Sequence, residues 1–327
     1  MEYTTLGGTG LSVSQVCLGT MNFGHEAEGW KLDAADSRAI IERALELGVT
    51  FFDTANVYRG GESEEVLGEV LAEHDRDELV VATKVYGSMD DDNPNAQGLS
   101  RKAIEQELAH SLDRLGLETI DLYQIHRWDE ATPIAETLRT LDDAVRRNQV
   151  RYLGASSMWA YQFAEALQTS ERRGLERFVS MQNHYNLVYR EEEREMVPLC
   201  REHGVGMIPW SPLARGYLTR PHEAFESTAR GEREADERAE RHAVYRAGGG
   251  EAVNRRVEEL ADDHGVTMAQ IAIAWQLAKE AVAAPVIGVS SVTQLEEAVE
   301  AVDLSLPESD LEYLEEPYEA VPIAGHS

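Results

Sequence analysis

Residues 48–71 read GVTFFDTANVYRGGESEEVLGEVL, and this stretch predicts a strand, a loop and a helix. The apolar run 49–52 is short enough for a buried strand, and it ends at the carboxylate of Asp53. After a glycine pair, Ser63 can cap a helix that has one apolar side. Asp53 and Tyr58 would both lie at the outgoing end of the strand. Such a pair alone is more often a turn cap and a surface aromatic, so the other strands decide what it means.

The rest of the chain repeats this alternation of strand and helix. Eight buried strands are predicted, at about 16–18, 49–52, 79–83, 120–125, 150–155, 178–181, 205–209 and 284–287. Helices are predicted between them, including 34–47, 158–172, 191–203, 251–264 and 267–280, with amphipathic tails at 292–301 and 307–315. Eight such units joined by right-handed crossovers close into a (β/α)8 barrel, the TIM barrel of the α/β class, here with extra C-terminal helices.

Two segments stand outside this repeat. Residues 1–15 carry a hairpin signal around Gly7-Gly8-Thr9-Gly10 and would precede the barrel as an N-terminal β-hairpin and a lid. Residues 222–250 are a charged, low-apolar insertion that ends in three glycines, which indicates a mobile loop with a short helix. We expect residues 1–327 to form a single barrel domain.

The charge balance excludes several partners. The chain has 60 acidic and 30 basic residues and a net charge of −30, which repels nucleic acid and anionic membrane surfaces. Only four residues are lysines: Lys31, Lys84, Lys102 and Lys279. An acid-rich, lysine-poor surface is typical of proteins that tolerate high salt, so we interpret the chain as a halophile's protein, with an ordinary acidic enzyme as the alternative.

The chain shows no signal for export. No basic start followed by an apolar core is present, and no apolar run approaches 18 residues, so a cytoplasmic location is expected. Cys17 and Cys200 have no CxxC spacing and are expected to be packed thiols.

Polar or aromatic side chains follow most of the predicted strands. In a barrel all strand ends open onto one mouth, so these side chains would converge although they are far apart in the sequence. They are Asp53, Tyr58, Lys84, His126, Ser156, Gln182 and Trp210. Lys84 is the most informative, because a buried ammonium needs an acidic partner, and Asp53 is the candidate.

These groups predict acid catalysis. A phenol with its usual pKa near ~10 is a weak acid at neutral pH. An adjacent ammonium stabilises the phenolate, so Lys84 held by Asp53 would make Tyr58 a proton donor, with His126 at the same substrate oxygen. This chemistry suits the reduction of a carbonyl group. No metal site is expected, because HxH and HExxH spacings are lacking and His25, His184 and His203 lie on different elements.

Several motifs in order resemble the aldo/keto reductases. They are GVTFFDTANVY, VVATKV, IDLYQIH, RYLGASS, FVSMQNHYNL and PWSPLARG, and the resemblance extends from YTTLGGTGLSVSQVCLGTMNFG to VIGVSSVTQLEEAVEAV. The segment MQNHYNLVYREEEREMVPLC resembles bacterial and fungal branches that reduce small aldehydes, one bacterial member being tied by name to 1-deoxyxylulose 5-phosphate formation.

The resemblance implies an NAD(P)H-dependent reductase of small aldehydes or ketones. It implies that Tyr58 is the proton donor, supported by Lys84 and Asp53, and that His126 orients the substrate oxygen. It also implies a cofactor across the barrel mouth, which agrees with the lack of a GxGxxG after any strand. The implied cofactor contacts are Thr20, Met21, Asp53, Ser156, Gln182, Trp210, Ser211, Pro212, Leu213, Arg215, Gly288, Ser290 and Gln294.

Each part of the cofactor has its implied contacts. Trp210 would stack on the nicotinamide, and Ser156 and Gln182 would bind its carboxamide. Residues 211–215 would hold the pyrophosphate, and residues 288–294 the adenosine phosphate end, where a helix start offers N–H groups.

Two positions depart from the family pattern. Ser157 stands where many relatives have Asn. Residues 288–294 contain no basic side chain, whereas relatives that prefer NADPH commonly have Arg or Lys there to pair with the 2′-phosphate. NADP(H) is nevertheless expected slightly ahead of NAD(H) as the cofactor, because that is the usual preference in the family.

Other functions stay open. The protein could be a redox-sensing regulatory subunit that binds the cofactor, or an enzyme of sugar phosphates. It could also be a lyase or isomerase that uses Lys84 as a Schiff-base amine, which Asp53 opposes. Substrate choice is expected to lie in the loops 24–32, 86–98 and 222–250. The sequence does not indicate the oligomeric state.

Overall fold

A computed structural model describes residues 1–226 and 244–325. Its main sheet has eight parallel strands, numbered after the two strands of the N-terminal hairpin, β1 (Tyr3–Thr5) and β2 (Ser12–Ser14). The eight strands are β3 (Cys17–Gly19), β4 (Phe51–Asp53), β5 (Val80–Val85), β6 (Ile120–Ile125), β7 (Val150–Ser156), β8 (Phe178–Gln182), β9 (Gly206–Met207) and β10 (Val286–Ile287). Their order in the sheet is β10-β3-β4-β5-β6-β7-β8-β9. Parallel bridges from Met207 to Val282 and from Trp210 to Val286 join the two outer strands. The sheet therefore closes into the predicted (β/α)8 barrel.

The register of the strands sets the level of the polar side chains. Asp53 pairs with Ala82, and Lys84 pairs with Gln124 on the next strand. Gln124 in turn pairs with Gly154, where a Cβ would lie 2.8 Å from Cγ of Gln124. Gly154 thus leaves room inside the barrel for the glutamine. Polar side chains from neighbouring strands can therefore pack together near the carboxyl ends of the strands.

Helices surround the barrel. They are Ala34–Glu46, Glu62–Leu71, Arg101–Leu115, Ile134–Arg146, Ala160–Arg173, Met196–His203, His222–Glu226, Gly250–His264, Met268–Leu277, Val292–Glu300 and Glu308–Glu315. The last two confirm the extra C-terminal helices. Helices Glu62–Leu71 and Arg101–Leu115 pack so closely that a Cβ on Gly68 would lie 2.5 Å from the carbonyl oxygen of Leu115.

Three details of the predicted elements were wrong. The predicted helix 191–203 is divided into a 3-10 turn, Glu191–Arg194, and a helix that begins at Met196. Strands β9 and β10 are each two residues long, which is shorter than predicted. Only isolated bridges join the described residues on the side where these two segments meet. Ser63 does not cap its helix, because Gly61 is the N-cap and the Ser63 hydroxyl donates instead to the carbonyl oxygen of Thr20, at 2.7 Å.

The N-terminal hairpin closes the bottom of the barrel. It consists of β1 (Tyr3–Thr5) and β2 (Ser12–Ser14), paired antiparallel. The Tyr3 hydroxyl donates to the carbonyl oxygen of Gly48, and the Gly8 N–H donates to that of Gly204, at 2.9 and 2.7 Å. Both acceptors precede strands, so this lid lies at the amino ends of the strands and not at the mouth.

The hydrophobic core has two parts. A small cluster fills the barrel interior and includes Leu6 of the hairpin, Cys17, Phe51 and Leu122. The larger cluster lies between the strands and the helices. Cys17 and Cys200 are both buried and free, as expected of packed thiols.

The predicted insertion 222–250 is described only at its ends. Helix His222–Glu226 begins it, and residues 244–250 lead into the next helix. The expected mobile loop falls mostly on residues 227–243, which lie outside the described residues. Within 1–226 and 244–325, no helix is long and apolar enough to cross a membrane.

Candidate active site

A buried ion pair lies at the centre of the barrel mouth. Lys84 is fully buried near the end of β5, and its Nζ donates to Asp53 Oδ1 at 2.5 Å and to the Thr54 carbonyl oxygen at 2.8 Å. Asp53 ends β4 and is also buried. Because a buried ammonium is costly without such acceptors, the pairing explains how a lysine is tolerated here.

The Tyr58 hydroxyl meets the same ammonium. Lys84 Nζ donates to it at 3.2 Å and lies 4.7 Å from the centre of the phenol ring. Tyr58 begins a 3-10 turn in which Arg59, Gly60 and Gly61 all have positive φ, at 55°, 69° and 106°. These three residues directly follow Tyr58 and end at Gly61, where the next helix starts.

Burial is the largest single influence on the Lys84 ammonium, and alone it would lower the pKa. The negative charge of Asp53, the Tyr58 phenol and the hydrogen bonds to both outweigh burial, so the pKa of Lys84 is raised above its usual value. The Lys84 ammonium is therefore favoured over the neutral amine beside the phenol oxygen.

His126 completes the group of four. It directly follows β6, and its ring meets that of Tyr58 edge-on, with centroids 5.7 Å apart. Burial lowers the pKa of His126 well below its usual value, and the charges of Lys84 and Arg127 lower it further. The imidazole is thus neutral at physiological pH and can donate a hydrogen bond without carrying a charge.

Two glutamines hold the other oxygen of Asp53. Gln124 Nε2 and Gln182 Nε2 each donate to Asp53 Oδ2 at 2.9 Å. Gln182 was among the predicted site residues, whereas Gln124 was missed. The available signal was a polar residue near the outgoing end of the strand IDLYQI, two positions before His126.

Trp210 belongs to a stack of three rings. Its indole lies against His184 at 4.2 Å between centroids and 10° between planes, and His184 lies against Tyr189 at 4.1 Å and 11°. His184 Nε2 is 2.7 Å from the Tyr245 hydroxyl. Trp210 Nε1 donates to Ser157 Oγ at 2.9 Å, which gives the unusual serine a contact. The stack fixes the plane of the indole.

The segment after Trp210 has an unusual backbone. Ser211, Ala214 and Arg215 have positive φ, at 53°, 47° and 57°, and Gly216 follows at 95°. Such left-handed residues turn successive N–H groups toward one side, a geometry that suits an anion. Pro212 is buried and Leu213 is half-buried in the same segment.

The last predicted contacts lie at the rim. Gly288, Ser290 and Gln294 are exposed, and Gln294 Oε1 accepts from the Ser290 N–H at 2.8 Å at the start of helix Val292–Glu300.

At the other side, Met21 is 49% exposed. The buried Thr20 hydroxyl contacts Ser63 Oγ and the Asp53 carbonyl oxygen. Ser156 donates to the Gln182 carbonyl oxygen at 2.9 Å.

The structure thus brings Asp53, Tyr58, Lys84 and His126 together from three strand ends. Gln182 and Ser156 lie beside them, and the described residues hold no group of three or more side chains arranged to ligate a metal ion. A (β/α)8 barrel with an acid–base group at the carboxyl ends of its strands has the architecture of a barrel enzyme.

The chain belongs to the aldo/keto reductase family, whose family model matches residues 15–319. A versiconal hemiacetal acetate reductase of Aspergillus parasiticus is 42% identical, over 100% of this chain and 99% of that protein. An aldo-keto reductase of Alternaria alternata is 41% identical, over 99% and 94%. A Schizosaccharomyces pombe protein provisionally named an aryl-alcohol dehydrogenase is 42% identical, over 99% and 97%.

Membership confirms the family predicted from the motifs and supports an oxidoreductase that acts on carbonyl groups. Aldo/keto reductases in general use NAD(P)H. The roles of the individual site residues stay predictions.

Proposed function

We propose that this protein is an NAD(P)H-dependent reductase of aldehydes or ketones in which Tyr58 is the proton donor. The observation that carries the proposal is the 3.2 Å contact between the Tyr58 hydroxyl and the Lys84 ammonium, which Asp53 holds at 2.5 Å. Bound reduced nicotinamide would supply the hydride. The chain's own residues then have one task, which is to deliver a proton to the carbonyl oxygen as negative charge develops there.

Tyr58 suits this task because of its neighbour. When the phenol gives up its proton, the Lys84 ammonium stabilises the phenolate, and Asp53 keeps that ammonium charged and in place. General-acid catalysis of this kind contributes roughly 10² to 10⁴ in rate. The neutral imidazole of His126 faces the phenol ring and would orient the carbonyl oxygen by donating a hydrogen bond to it.

The raised pKa of Lys84 argues against the Schiff-base alternative. A lysine that attacks a carbonyl must be uncharged, but burial, which favours the neutral amine, is outweighed by Asp53 and Tyr58. A purely regulatory subunit would not need a complete acid–base group, so an enzyme is favoured.

The residues of this chain fit a nicotinamide dinucleotide. Trp210 presents a flat ring whose plane is fixed by His184 behind it. The backbone of 211–216, with its left-handed residues, suits a pyrophosphate, and the start of helix Val292–Glu300 suits a phosphate. NADP(H) is proposed slightly ahead of NAD(H), held at Ser290 and Gln294 by hydrogen bonds rather than by a basic side chain.

The proposed substrate is a small carbonyl compound, with aromatic aldehydes first to be tried because of the relatives' names. A sugar phosphate is the second candidate within the family. The acid-rich surface is proposed to suit high salt, and a cytoplasmic site of action is proposed with it.

The test is oxidation of NADPH, then NADH, followed by absorbance with a panel of small and aromatic aldehydes in low and high salt. We expect Tyr58→Phe to abolish turnover and to leave the dissociation constant of the cofactor within about twofold, because the hydroxyl serves only the proton transfer. If the phenylalanine variant keeps the wild-type rate, Tyr58 is not the acid. Reduction by borohydride that traps a substrate on Lys84 would favour the lyase.

A further inference from the structure

A second, separate group of charges is buried behind the proposed acid. It lies between helices Glu62–Leu71 and Arg101–Leu115 and consists of Glu64, Glu107 and Arg114. The side chains of the two glutamates are 0% and 4% exposed, and that of the arginine is 16% exposed. Buried carboxylates are costly unless they are paired and hydrogen-bonded, so their partners are informative.

Glu107 contacts the loop that carries Tyr58. Its Oε2 accepts a hydrogen bond from Nδ2 of Asn56 at 2.9 Å, and Asn56 lies two residues before Tyr58. The N–H of Asn56 also donates to the carbonyl oxygen of Lys84 at 3.2 Å. Asn56 is fully buried, so this bond is shielded from water.

Glu64 contacts the strand that carries Lys84. Its Oε1 accepts from the hydroxyl of Thr83 at 2.5 Å, and Thr83 directly precedes Lys84 on β5. Its Oε2 accepts from Arg114 Nε at 2.6 Å. Glu64 therefore links Arg114 to β5, the strand that carries Lys84.

Arg114 joins both halves and contacts the turn after Tyr58. Its Nη2 lies 3.9 Å from Glu107 Oε2, while Nε binds Glu64. Its Cδ would lie 2.8 Å from a Cβ on Gly61, the last residue of the turn that begins at Tyr58. Because Gly61 has a φ of 106°, the turn can pass this close to Arg114 only as glycine.

We propose that Glu107 and Arg114 are positioning residues for the reaction, which hold the loop 54–61 so that the Tyr58 hydroxyl stays in contact with the Lys84 ammonium. The inference rests on the proposed role of Tyr58 as acid. Neither residue contacts the substrate's side of the mouth in the described contacts. Their effect passes through Asn56 before the tyrosine and Gly61 after it, and a shift of about 1 Å at a reacting group can cost on the order of 10²-fold in rate.

The test first adds a carboxylate at position 56, opposite Glu107, and then removes the carboxylate at position 107. Asn56→Asp places two carboxylates against each other and pushes the loop away. We expect kcat to fall at least about tenfold, with the cofactor dissociation constant within about twofold, because none of the proposed cofactor contacts lies in loop 54–61. The double variant Asn56→Asp with Glu107→Gln restores a hydrogen bond with donor and acceptor reversed. It should recover kcat to within about threefold of wild type.

The matched control is His110→Gln. His110 Nδ1 contacts the other oxygen of Glu107 at 3.2 Å, but its side chain is 61% exposed and does not reach the loop. This variant should keep the wild-type kcat. Two further readouts do not follow from a merely structural role. The primary isotope effect on kcat from deuterated nicotinamide should rise in Asn56→Asp, and its crystal structure should show the Tyr58 oxygen moved from the 3.2 Å contact with Lys84 Nζ.

The inference is overturned if folded Asn56→Asp keeps the wild-type kcat, or if the double variant is no faster than Asn56→Asp. If Asn56→Asp does not fold, Arg114→Lys is tested instead. Lysine keeps the positive charge but loses the guanidinium nitrogens that face both Glu64 and Glu107. An unchanged kcat there also overturns the inference. Failure of the proposed function is a different result, in which wild type and Tyr58→Phe reduce the substrate equally well.

Discussion

Replacement of Lys84 by methionine separates what the buried ammonium does for folding from what it does for chemistry. Methionine fills nearly the same space but cannot donate the three hydrogen bonds that reach Asp53, Thr54 and Tyr58. Among the described residues, Asp53 would then keep the amide donors Gln124 and Gln182 for a buried negative charge.

Breaking a buried pair by removing one partner costs about 3–5 kcal/mol of unfolding free energy. The two glutamine donors remain, so we expect the lower part of this range. A chain of 327 residues has an unfolding entropy of about 0.7 kcal/mol/K, so a loss of about 3–4 kcal/mol should lower the melting temperature by about 4–6 °C. Turnover should fall by roughly 10² to 10⁴, because the phenolate loses its stabilising cation.

The assay compares Lys84→Met with the double variant Asp53→Asn, Lys84→Met. The double variant carries neither charge of the Asp53–Lys84 pair, so its melting temperature should return most of the way to wild type while turnover stays lost. Scanning calorimetry at one scan rate and NADPH oxidation give the two quantities.

The reasoning is refuted if Lys84→Met melts within about 1 °C of wild type, or if the double variant is less stable than the single one. In either case Asp53 is not left as an uncompensated charge. A single variant that keeps its turnover would refute the role of the ammonium in catalysis.

Three further predictions concern other parts of the molecule. Burial, with Lys84 and Arg127, lowers the pKa of His126. The unfolded chain therefore binds a proton that the folded state does not, and below pH ~6.5 the unfolding free energy should fall by up to about 1.4 kcal/mol per pH unit in urea titrations. Gly68→Ala should cost about 1–3 kcal/mol in the same assay, because its Cβ would lie 2.5 Å from the Leu115 carbonyl oxygen. Tyr245→Phe removes the hydroxyl that contacts His184 behind Trp210, and should weaken cofactor binding about two- to tenfold in fluorescence titrations.

Each of these has a matched control. His126→Gln should lack this part of the acid-dependent loss, and equal slopes in both proteins would contradict a neutral imidazole in the folded state. Gly10→Ala should change the stability by less than about 0.5 kcal/mol, since nothing lies within 4 Å of its Cβ. Tyr161 is 66% exposed, so Tyr161→Phe should bind the cofactor as wild type does, and equal affinity of the Tyr245 variant would separate the ring stack from binding.

The barrel could be predicted because its signals are local. Each strand is a short apolar run and each helix an apolar stripe, and eight repeats of this pair leave one common closure. The predicted group Asp53, Tyr58, Lys84 and His126 follows from the same reasoning, because polar residues directly after parallel strands share one edge.

Other features depend on partners that are distant in sequence. Ser63 has the residue type and position of a helix cap, but the packing of β3 and β4 offers its hydroxyl Thr20 and Thr54 instead. The hairpin 1–15 was expected as a lid, and only contacts with Gly48 and Gly204 decide that it closes the bottom.

The sequence by itself determined the class of fold and the chemical types gathered at the mouth, because the spacing of apolar residues and the order of motifs are properties of neighbours along the chain. The tertiary structure alone decided which atoms meet. Gln124 binds Asp53 across 71 residues, and Glu107 binds Asn56 across 51 residues. Such bonds depend on strand register and helix packing to within about 0.5 Å, which no local pattern specifies.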